Sequence, residues 1–370
     1  MRATPPEDPT ESERSMILFL NCRWSILTLS LSLAGAVACG ASKKPARDAG
    51  EFPPDGKLAN HGPGEFKKPG ENPFAGAKWY VSEYSNAVTH MKMAERAGNA
   101  QDAALLRKIA DYGGADWVGD WTAYVGDWVR RQTTAITNAG ALPLYVAYNL
   151  PNRDCGQYSA GGAETGEAYK AWITDFARGI NDRKAVVILE PDGLGLLEGC
   201  LSPEDQAARL ELYQFAVETF NTLPHTYVYI DAGHSAWMPA DVAAERLERA
   251  GVDKAQGFAL NTSNYRATDE LVAYGKEVSA LVGGKHFVID TSRNGNGPPT
   301  VDDPKSEQSW CNPPGRALGS PPTTATAAPI VDAYLWLKKP GESDGECNGG
   351  PKAGEWWQEQ ALELARNAKF

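Results

Sequence analysis

The stretch KAVVILEPDGLG (Lys184–Gly195) is the clearest architectural signal in the chain. Its apolar run, Ala185–Leu189, is rich in β-branched residues and shows no polar alternation, which is typical of a strand buried on both faces. Two carboxylates, Glu190 and Asp192, follow the run. Such strands occur in parallel sheets covered by helices, where reactive residues lie at the carboxyl ends of the strands. The stretch therefore predicts a parallel α/β fold with chemistry at the end of this strand.

The same pattern recurs along most of the chain. Six further apolar runs are found at Lys78–Ser82, Leu142–Tyr148, Thr226–Ile230, Gly257–Leu260, His286–Ile289 and Ala333–Leu337. Stretches of helical character lie between or beside them, at Ala100–Asp111, Thr122–Thr137, Ala168–Asn181, Pro203–Asn221, Ala240–Ala250, Thr268–Val282 and Glu355–Ala368. This alternation predicts an α/β fold with a parallel sheet. Since the sequence has no glycine-rich dinucleotide-binding turn, we expect a closed, TIM-like barrel of seven or eight strands in one catalytic domain.

The composition excludes several other classes of protein. The chain has 370 residues and carries 36 basic against 47 acidic side chains, a net charge of −11. Its 11 Trp, 14 Tyr and 10 Phe are too many core-forming rings for a disordered chain. The acidic balance argues against binding to nucleic acid, whose phosphates require a positive surface. Glycine and proline are scattered without a repeat period, which excludes collagen and solenoid architectures.

The N-terminal residues have the pattern of an export signal. Arg23 precedes an apolar run, Trp24–Ala38, that ends in small residues, as in a secretory signal peptide. A transmembrane anchor is the alternative, but about 15 apolar residues interrupted by polar ones are short for a bilayer core of ~30 Å. The sequence AVAC (Ala36–Cys39) also resembles a bacterial lipoprotein box, although Ala36 stands where leucine is expected. Cys39 is therefore a candidate for acylation.

These features divide the chain into three parts. Residues 1–39 form a leader, in which Met16 is an alternative start, residues 40–75 form a linker, and residues 76–370 form the catalytic domain. The linker is rich in Lys, Pro, Gly and Asp and has almost no apolar pattern. We expect a monomeric, extracellular protein that is either released or anchored to the cell envelope through a lipid at Cys39.

Four cysteines remain outside the leader, at Cys155, Cys200, Cys311 and Cys347. In an exported protein they suggest two disulfides, and the sequence allows three pairings. None of their spacings is the Cys-x-x-Cys of a zinc or thioredoxin-type site. The simplest pairing is sequential, Cys155 with Cys200 and Cys311 with Cys347.

Acidic residues follow several of the predicted strands. Asp154, Asp192 and Asp231 are separated by about one strand and one helix each, and Glu342 and Asp344 follow the last strand. We expect the first three on neighbouring strands around one rim of the barrel. Carboxylates that converge repel one another, and a fold accepts that cost mainly for metal binding or for acid–base chemistry, where neighbouring charges keep one carboxyl protonated.

The acid–base interpretation fits the sequence better than a metal site. A calcium loop would hold its oxygen ligands within about a dozen residues, and a zinc or iron site would use two or more histidines. The chain has five His, of which only His234 lies at a predicted strand end. The structural alternative for a single Asp-Gly such as Asp192-Gly193 is a turn or a helix cap. That alternative accounts poorly for four strand-end aspartates together.

Aromatic residues near these carboxylates indicate a carbohydrate substrate. Tyr148 and Trp237 lie near strand-end aspartates, and Trp237 and Trp310 are in loop-like contexts. Sugar rings stack their C–H faces on aromatic rings while their hydroxyls bind polar groups. The alternative for a tryptophan is a place in the core, which we expect for three others: Trp172, Trp356 and Trp357.

Four blocks resemble glycoside hydrolase family 6, the family of secreted β-1,4-glucanases and cellobiohydrolases: ILEPDGLG (Ile188–Gly195), YNLPNRDCGQYSAGG (Tyr148–Gly162), YIDAGHSAW (Tyr229–Trp237) and WLKKPGESDG (Trp336–Gly345). The resemblance extends over Asn72–Phe370, with the blocks in family order. It implies a distorted barrel of seven parallel strands and hydrolysis of β-1,4-glucosidic bonds with inversion, without a metal or organic cofactor. Cys155–Cys200 and Cys311–Cys347 match the family's two disulfides.

The resemblance also implies roles for individual residues. Asp192 matches the proton donor, Asp154 the aspartate that raises the donor's pKa, and Asp344 the proposed base. Asp231 matches a further active-site carboxylate that assists substrate binding, and Tyr148 a tyrosine that helps to distort the sugar ring. Six residues match positions that bind glucose units: His234, Trp237, Asn264, Trp310, Lys338 and Glu342.

Together these observations predict a secreted endo-β-1,4-glucanase with Asp192 as general acid. Compact disulfide-closed segments favour an open cleft and endo action, because the exo-acting members of the family carry longer insertions there. A cellobiohydrolase is the alternative enzyme, and a non-catalytic glucan-binding protein is the alternative from another class. A metal-dependent hydrolase or esterase, which a chelator would inhibit, is a third hypothesis.

Overall fold

A computed structural model describes residues 71–299 and 309–370 of the chain. The predicted leader, including Cys39, and residues 40–70 of the predicted linker lie outside the described residues, as do residues 300–308. In the described part of the chain, no helix has the length and apolar character needed to cross a membrane.

Seven parallel strands form the centre of the fold. In chain order they are β1 (Asp116–Val118), β2 (Leu144–Ala147), β3 (Ala185–Leu189), β4 (Thr226–Asp231), β5 (Gly257–Leu260), β6 (His286–Asp290) and β7 (Val331–Leu335). Each strand pairs with the next in the order β1 to β7. Among the described residues, β1 and β7 do not pair with each other, so the sheet curls into an open barrel. The predicted α/β fold of seven parallel strands is confirmed, whereas the expected closed ring is not observed.

Eight α-helices accompany the strands in the described residues. They are α1 (Asn86–Arg96), α2 (Ala100–Ala110), α3 (Val125–Asn138), α4 (Gly166–Ile180), α5 (Pro203–Asn221), α6 (Ala240–Arg249), α7 (Thr268–Leu281) and α8 (Gln358–Asn367). All seven predicted helices are present, with ends shifted by a few residues at most. Helix α1 was not predicted; it begins after Ser85, whose side chain accepts a hydrogen bond from the Val88 N–H and so caps the helix.

The prediction of a first strand at Lys78–Ser82 is wrong. In the described structure this segment forms no strand, and the short β1 is the first strand instead. The Lys78 carbonyl accepts one hydrogen bond from the Leu142 N–H at 3.0 Å, and the Tyr80 backbone lies directly against Gly113. The segment is thus partly buried by packing on the barrel rather than by pairing in its sheet.

Both faces of the sheet are buried, as the continuous apolar runs predict. Val146, Ile188 and Tyr229 pack together inside the barrel. The alternate side chains of the same strands face the surrounding helices, where Phe176 of α4 and Phe220 of α5 are fully buried. Because all seven strands are parallel, the loops that follow them leave the barrel along one rim.

The last residues of the predicted linker belong to the packed fold. Phe74 is fully buried, with its ring 5.7 Å from that of Trp79 and 5.9 Å from that of Tyr229. Asn72 donates a hydrogen bond to the Asp332 carbonyl in β7 at 2.7 Å. The folded region therefore begins before residue 76.

Candidate active site

A cleft of about 620 Å³ lies at the carboxyl ends of the strands. Eight of the residues predicted for the site line it: Tyr148, Asp154, Asp192, Asn264, Trp310, Lys338, Glu342 and Asp344. Asp231 lies below this lining, and His234 and Trp237 lie beside it at the end of β4. The strand-end carboxylates thus meet at one mouth of the barrel, as their spacing predicts.

Asp192 lies in a sharp turn after β3. The backbone of this turn is in the left-handed region at two residues, with φ of 51° at Glu190 and 68° at Asp192. Non-glycine residues adopt this conformation at some energetic cost. Two neighbouring strand ends support the turn. The Asp192 N–H donates to Asp231 Oδ1 at 3.2 Å, and the Tyr148 hydroxyl donates to Asp192 Oδ2 at 3.4 Å.

The surroundings of Asp192 favour its protonated form. Burial holds the pKa of Asp192 well above its ordinary value, and the negative charges of Asp231, Asp154 and, more weakly, Asp344 act in the same direction. The hydrogen bond from Tyr148 opposes them only in part. A carboxyl whose pKa is raised in this way is suited to hold a proton and to donate it to a substrate.

Asp344 is held in the opposite state. Its Oδ2 accepts hydrogen bonds from Arg293 Nη1 at 2.9 Å, from the Tyr265 hydroxyl at 2.9 Å and from the Asn312 N–H at 3.0 Å. Lys338 Nζ lies 3.6 Å from Oδ1. Burial acts to raise the pKa of Asp344, but the Arg293 and Lys338 charges hold it below its ordinary value. These contacts favour the ionised form of Asp344.

Asp154 lies in a short 3-10 turn, Asp154–Gly156, after β2. The Ser159 N–H donates to its Oδ2 at 2.7 Å. Burial raises the pKa of Asp154, while this hydrogen bond and the adjacent Arg153 charge lower it. The Asp154 carboxylate and Asp192 line the same cleft. The Cys155–Cys200 disulfide links the loop that carries Asp154 to the segment after β3.

Asp231 has a supporting position. Its side chain is fully buried and accepts hydrogen bonds from the Thr262 hydroxyl at 2.5 Å and from the Gly233 N–H at 3.0 Å, besides that from Asp192. Burial raises the pKa of Asp231 to about 6. From this position it holds the backbone of Asp192 and adds negative charge beneath the cleft.

Four further residues take part in the site, although the sequence predicts no role for them. Arg293 and Tyr265 hold Asp344, as described above. The Arg153 guanidinium lies 4.6 Å from the centre of the Tyr148 ring and donates to Asp120 at 2.9 Å. Glu190 is buried and accepts hydrogen bonds from the Asn149 and Leu150 N–H groups. Arg153 and Glu190 lie inside the quoted motifs, within two residues of Asp154 and Asp192. That proximity is the sequence feature from which their part in the site could have been predicted.

His234 and Trp237 form a small aromatic group next to the cleft. Their ring centres are 5.7 Å apart, and the Trp237 ring lies so close to Gly195 that an added Cβ there would be 2.6 Å from it. Burial lowers the pKa of His234 to about 4, so the imidazole is neutral at neutral pH. Trp310, which lines the cleft, is 40% exposed, with its ring 6.0 Å from that of Tyr158.

The disulfides fix both loops that carry the cleft. Cys155 pairs with Cys200, and Cys311 pairs with Cys347, as the sequential pairing predicts. Among the described residues, no group of three or more His, Cys, Asp or Glu side chains has an arrangement that could hold a metal ion.

Comparison with known proteins identifies similar chains. The sequence profile described as glycosyl hydrolases family 6 matches residues 74–368. Endoglucanase A of Cellulomonas fimi is 46% identical over 293 residues, which are 78% of this chain and 61% of that protein. Endoglucanase 1 of Streptomyces halstedii is 42% identical over 280 residues, 73% of this chain and 84% of that protein. The chain therefore spans about three fifths of the length of the first relative.

A solved structure is similar in fold as well as in sequence. The endoglucanase Cel6 from Mycobacterium tuberculosis, in complex with methyl-cellobiosyl-4-deoxy-4-thio-β-D-cellobioside, superposes with a TM-score of 0.74 at 46% identity. The match covers 80% of this chain and 99% of that one.

Proposed function

The chain belongs to glycosyl hydrolase family 6, and from this membership we propose that it is an endo-β-1,4-glucanase acting on cellulose or a related glucan. The relatives at 42% and 46% identity are named endoglucanases, which supports endo action. The bound thio-cellobioside of the similar Mycobacterium tuberculosis structure supports a β-glucan as substrate.

One observation carries the proposal: two carboxyls that line the same cleft have surroundings that shift their pKa values in opposite directions. Burial and nearby negative charge favour a protonated Asp192, whereas the Arg293 charge favours an ionised Asp344. Hydrolysis with inversion needs such a pair, an acid for the leaving oxygen and a base for water, about 6.5–9.5 Å apart.

In the proposed reaction, Asp192 transfers its proton to the glycosidic oxygen as the bond from that oxygen to the anomeric carbon breaks. Water attacks the anomeric carbon from the opposite face, and its proton passes to Asp344. The products are an alcohol end on the leaving sugar and a hemiacetal of inverted, α configuration. Asp154 contributes negative charge that keeps the proton on Asp192, and Tyr148 packs beside the reacting sugar.

Substrate binding is proposed for the remaining residues of the cleft. Trp310 offers a partly exposed ring to a sugar face, and Asn264, Lys338 and Glu342 offer hydrogen-bonding groups to its hydroxyls. His234 and Trp237 would serve a glucose unit that extends past the end of β4.

The test compares viscosity loss with reducing-sugar release on carboxymethylcellulose, with the product anomer followed by NMR. Rapid loss of viscosity per bond cut and an α product are expected. Slow loss of viscosity would instead indicate a cellobiohydrolase, a β product would contradict inversion, and binding without any release of sugar would indicate a glucan-binding protein. Full activity in the presence of a chelator is also expected, and inhibition would favour a metal-dependent hydrolase.

We also propose that the protein is exported, on the pattern of residues 16–39, and that it acts as a monomer. The mass of the mature N-terminus distinguishes the two forms of export. An acylated Cys39 at the N-terminus would indicate a lipid anchor, and a free N-terminus near this position would indicate release. A retained leader would contradict export.

A further inference from the structure

A second pocket lies on the side of the barrel where β1 approaches the chain after β7. Its volume is about 190 Å³. We name it the seam pocket and define it by six of its lining residues: Trp79, Tyr84, Asn86, Lys339, Glu342 and Trp356. None of the roles proposed so far uses this pocket as a binding site.

The seam pocket and the catalytic cleft share a wall. Lys339 and Glu342 line both cavities. This wall is held in place from two sides, since Lys339 Nζ lies 3.1 Å from Asp116 Oδ1 in β1, and Asn86 Nδ2 at the start of α1 donates to Glu342 Oε1 at 3.5 Å. A glucan chain that continues past the cleft over Lys339 and Glu342 therefore reaches the seam pocket.

The lining of the seam pocket has the chemistry that binds a sugar. Tyr84 lines the pocket and is 84% exposed, so its ring is free to stack on the face of a sugar. Asn86, Lys339 and Glu342 supply donors and acceptors for hydroxyl groups. The volume suits a single sugar ring better than a larger ligand, for which pockets of about 300–1,000 Å³ are typical.

Trp356 provides a second, independent indication. We expected this residue in the core, and its ring does stack on His90 with the ring centres 5.0 Å apart. Its indole N–H, however, is buried and has no hydrogen-bond partner among the described residues. A buried donor without a partner is costly; Trp356 lines the seam pocket, so a rotation of its ring toward the cavity would let a sugar oxygen accept this hydrogen bond.

We propose that the seam pocket is an additional subsite that binds one glucose unit of a glucan extending beyond the catalytic cleft. The proposal rests on the proposed glucanase function. The Tyr84 ring stacks on the sugar, the Trp356 N–H donates to one of its oxygens, and the polar residues of the shared wall bind its hydroxyls. Chains long enough to reach the pocket are therefore the better substrates.

The test measures kcat/KM on cellotetraose, cellopentaose and cellohexaose for the wild type, Tyr84→Ala and Trp356→Phe. Each variant is expected to lower kcat/KM about three- to tenfold on the longest chain, and to change it less than about twofold on the shortest. Tyr124→Ala is the matched control, because Tyr124 is 86% exposed and lines neither cavity. It should behave as the wild type at every length.

Equal losses on all chain lengths, or no loss on cellohexaose, would overturn the subsite. Calorimetric binding of the same oligosaccharides in the Asp192→Asn background separates this outcome from failure of the proposed function. If the enzyme cuts no glucan but Tyr84→Ala still weakens cellohexaose binding selectively, the pocket stands and the glucanase proposal fails. If none of the three oligosaccharides binds, both the subsite and the glucanase proposal fail.

Discussion

Two buried carboxyls of the cleft, Asp192 and Asp344, differ because the charges next to them have opposite signs. Burial alone would raise the pKa values of both Asp192 and Asp344. Only Asp344 has a guanidinium against it, since Arg293 is completely buried and lies 2.9 Å away. Asp192 instead faces the negative charges of Asp231 and Asp154. The proposed assignment of acid and base thus depends largely on where Arg293 is placed.

Arg293→Met tests this dependence. It leaves the Asp344 charge buried without its main partner, so we expect the free energy of unfolding to fall by about 3–5 kcal/mol. The pKa of Asp344 should rise, which moves the acidic limb of the kcat/KM profile to higher pH. Arg293→Lys restores a charge and should restore much of the profile, which a purely structural residue would not do.

Arg249→Met is the control for Arg293→Met. Arg249 pairs with Glu245 at 3.2 Å on the surface of α6, where both side chains are about half exposed or more. Removing this pair should cost less than about 1 kcal/mol and leave the pH profile unchanged. An unchanged profile in both Arg293 variants would refute the assigned role.

The sequence located the acids of the site better than their partners. Asp154, Asp192 and Asp231 come after three consecutive predicted strands. Because parallel strands separated by helices all end at the same rim, the sequence predicts that these aspartates meet there. Arg293 and Tyr265 could not be assigned in this way. They follow other strands, and they become partners of Asp344 only when the loop after β7 folds across them.

At the scale of elements, the loop closed by Cys311–Cys347 carries several parts of the site. Trp310 lines the cleft next to this disulfide, and the Asn312 N–H donates to Asp344. The Asn312 side chain also donates to the Ser343 hydroxyl at 3.0 Å and to the Gly345 carbonyl at 2.9 Å. The loop therefore orients the proposed base as well as a substrate-binding ring.

Replacement of both Cys311 and Cys347 by serine should affect stability and binding together. Opening a loop of 36 residues should lower the free energy of unfolding by up to about 4 kcal/mol, and the loosened Trp310 should raise KM. Thermal unfolding and steady-state kinetics on cellohexaose measure both effects. The double replacement at Cys155 and Cys200 is the comparison: it should cost similar stability but act through the Asp154 loop. Wild-type Tm and KM in the first variant would contradict the assigned role of its loop.

The sequence predicts a strand correctly where its apolar pattern arises from burial on both faces of the sheet and from no other kind of burial. Ala185–Leu189 is apolar throughout because the strand is buried on both faces. Lys78–Ser82 has a similar pattern but is partly buried against the side of the barrel, so the pattern gave the wrong element. Asp116–Val118 was missed because three residues, with a charged first one, are too short to show any period.

At the scale of the whole molecule, buried carboxyls give stability a defined dependence on pH. Burial raises the pKa of Glu190 to about 7 and that of Asp231 to about 6, and it also raises the pKa values of Asp154, Asp192 and Asp290. Their stabilising contribution is complete below the unfolded values near 4 and is lost as pH rises through the folded values. His234, with its pKa lowered to about 4, opposes this trend below about pH 6.5.

We therefore expect the protein to be more stable at pH 5 than at pH 8, with Tm higher by about 5 °C or more. Glu190→Gln should flatten this slope, because it removes one of the titrating groups. Glu211→Gln, at an exposed position of α5, should leave the slope unchanged. A Tm that rises steadily from pH 5 to pH 8 would be incompatible with these buried carboxyls.

The role of Asp192 as proton donor can be tested with a substrate whose leaving group needs no proton. Asp192→Ala removes the acid, and a 2,4-dinitrophenolate leaving group departs without protonation. We predict that the variant loses about 10²–10⁴-fold in kcat on cellohexaose but retains most of its activity on 2,4-dinitrophenyl β-cellobioside. Wild-type turnover of cellohexaose, or an equal loss on both substrates, would show that Asp192 is not the general acid.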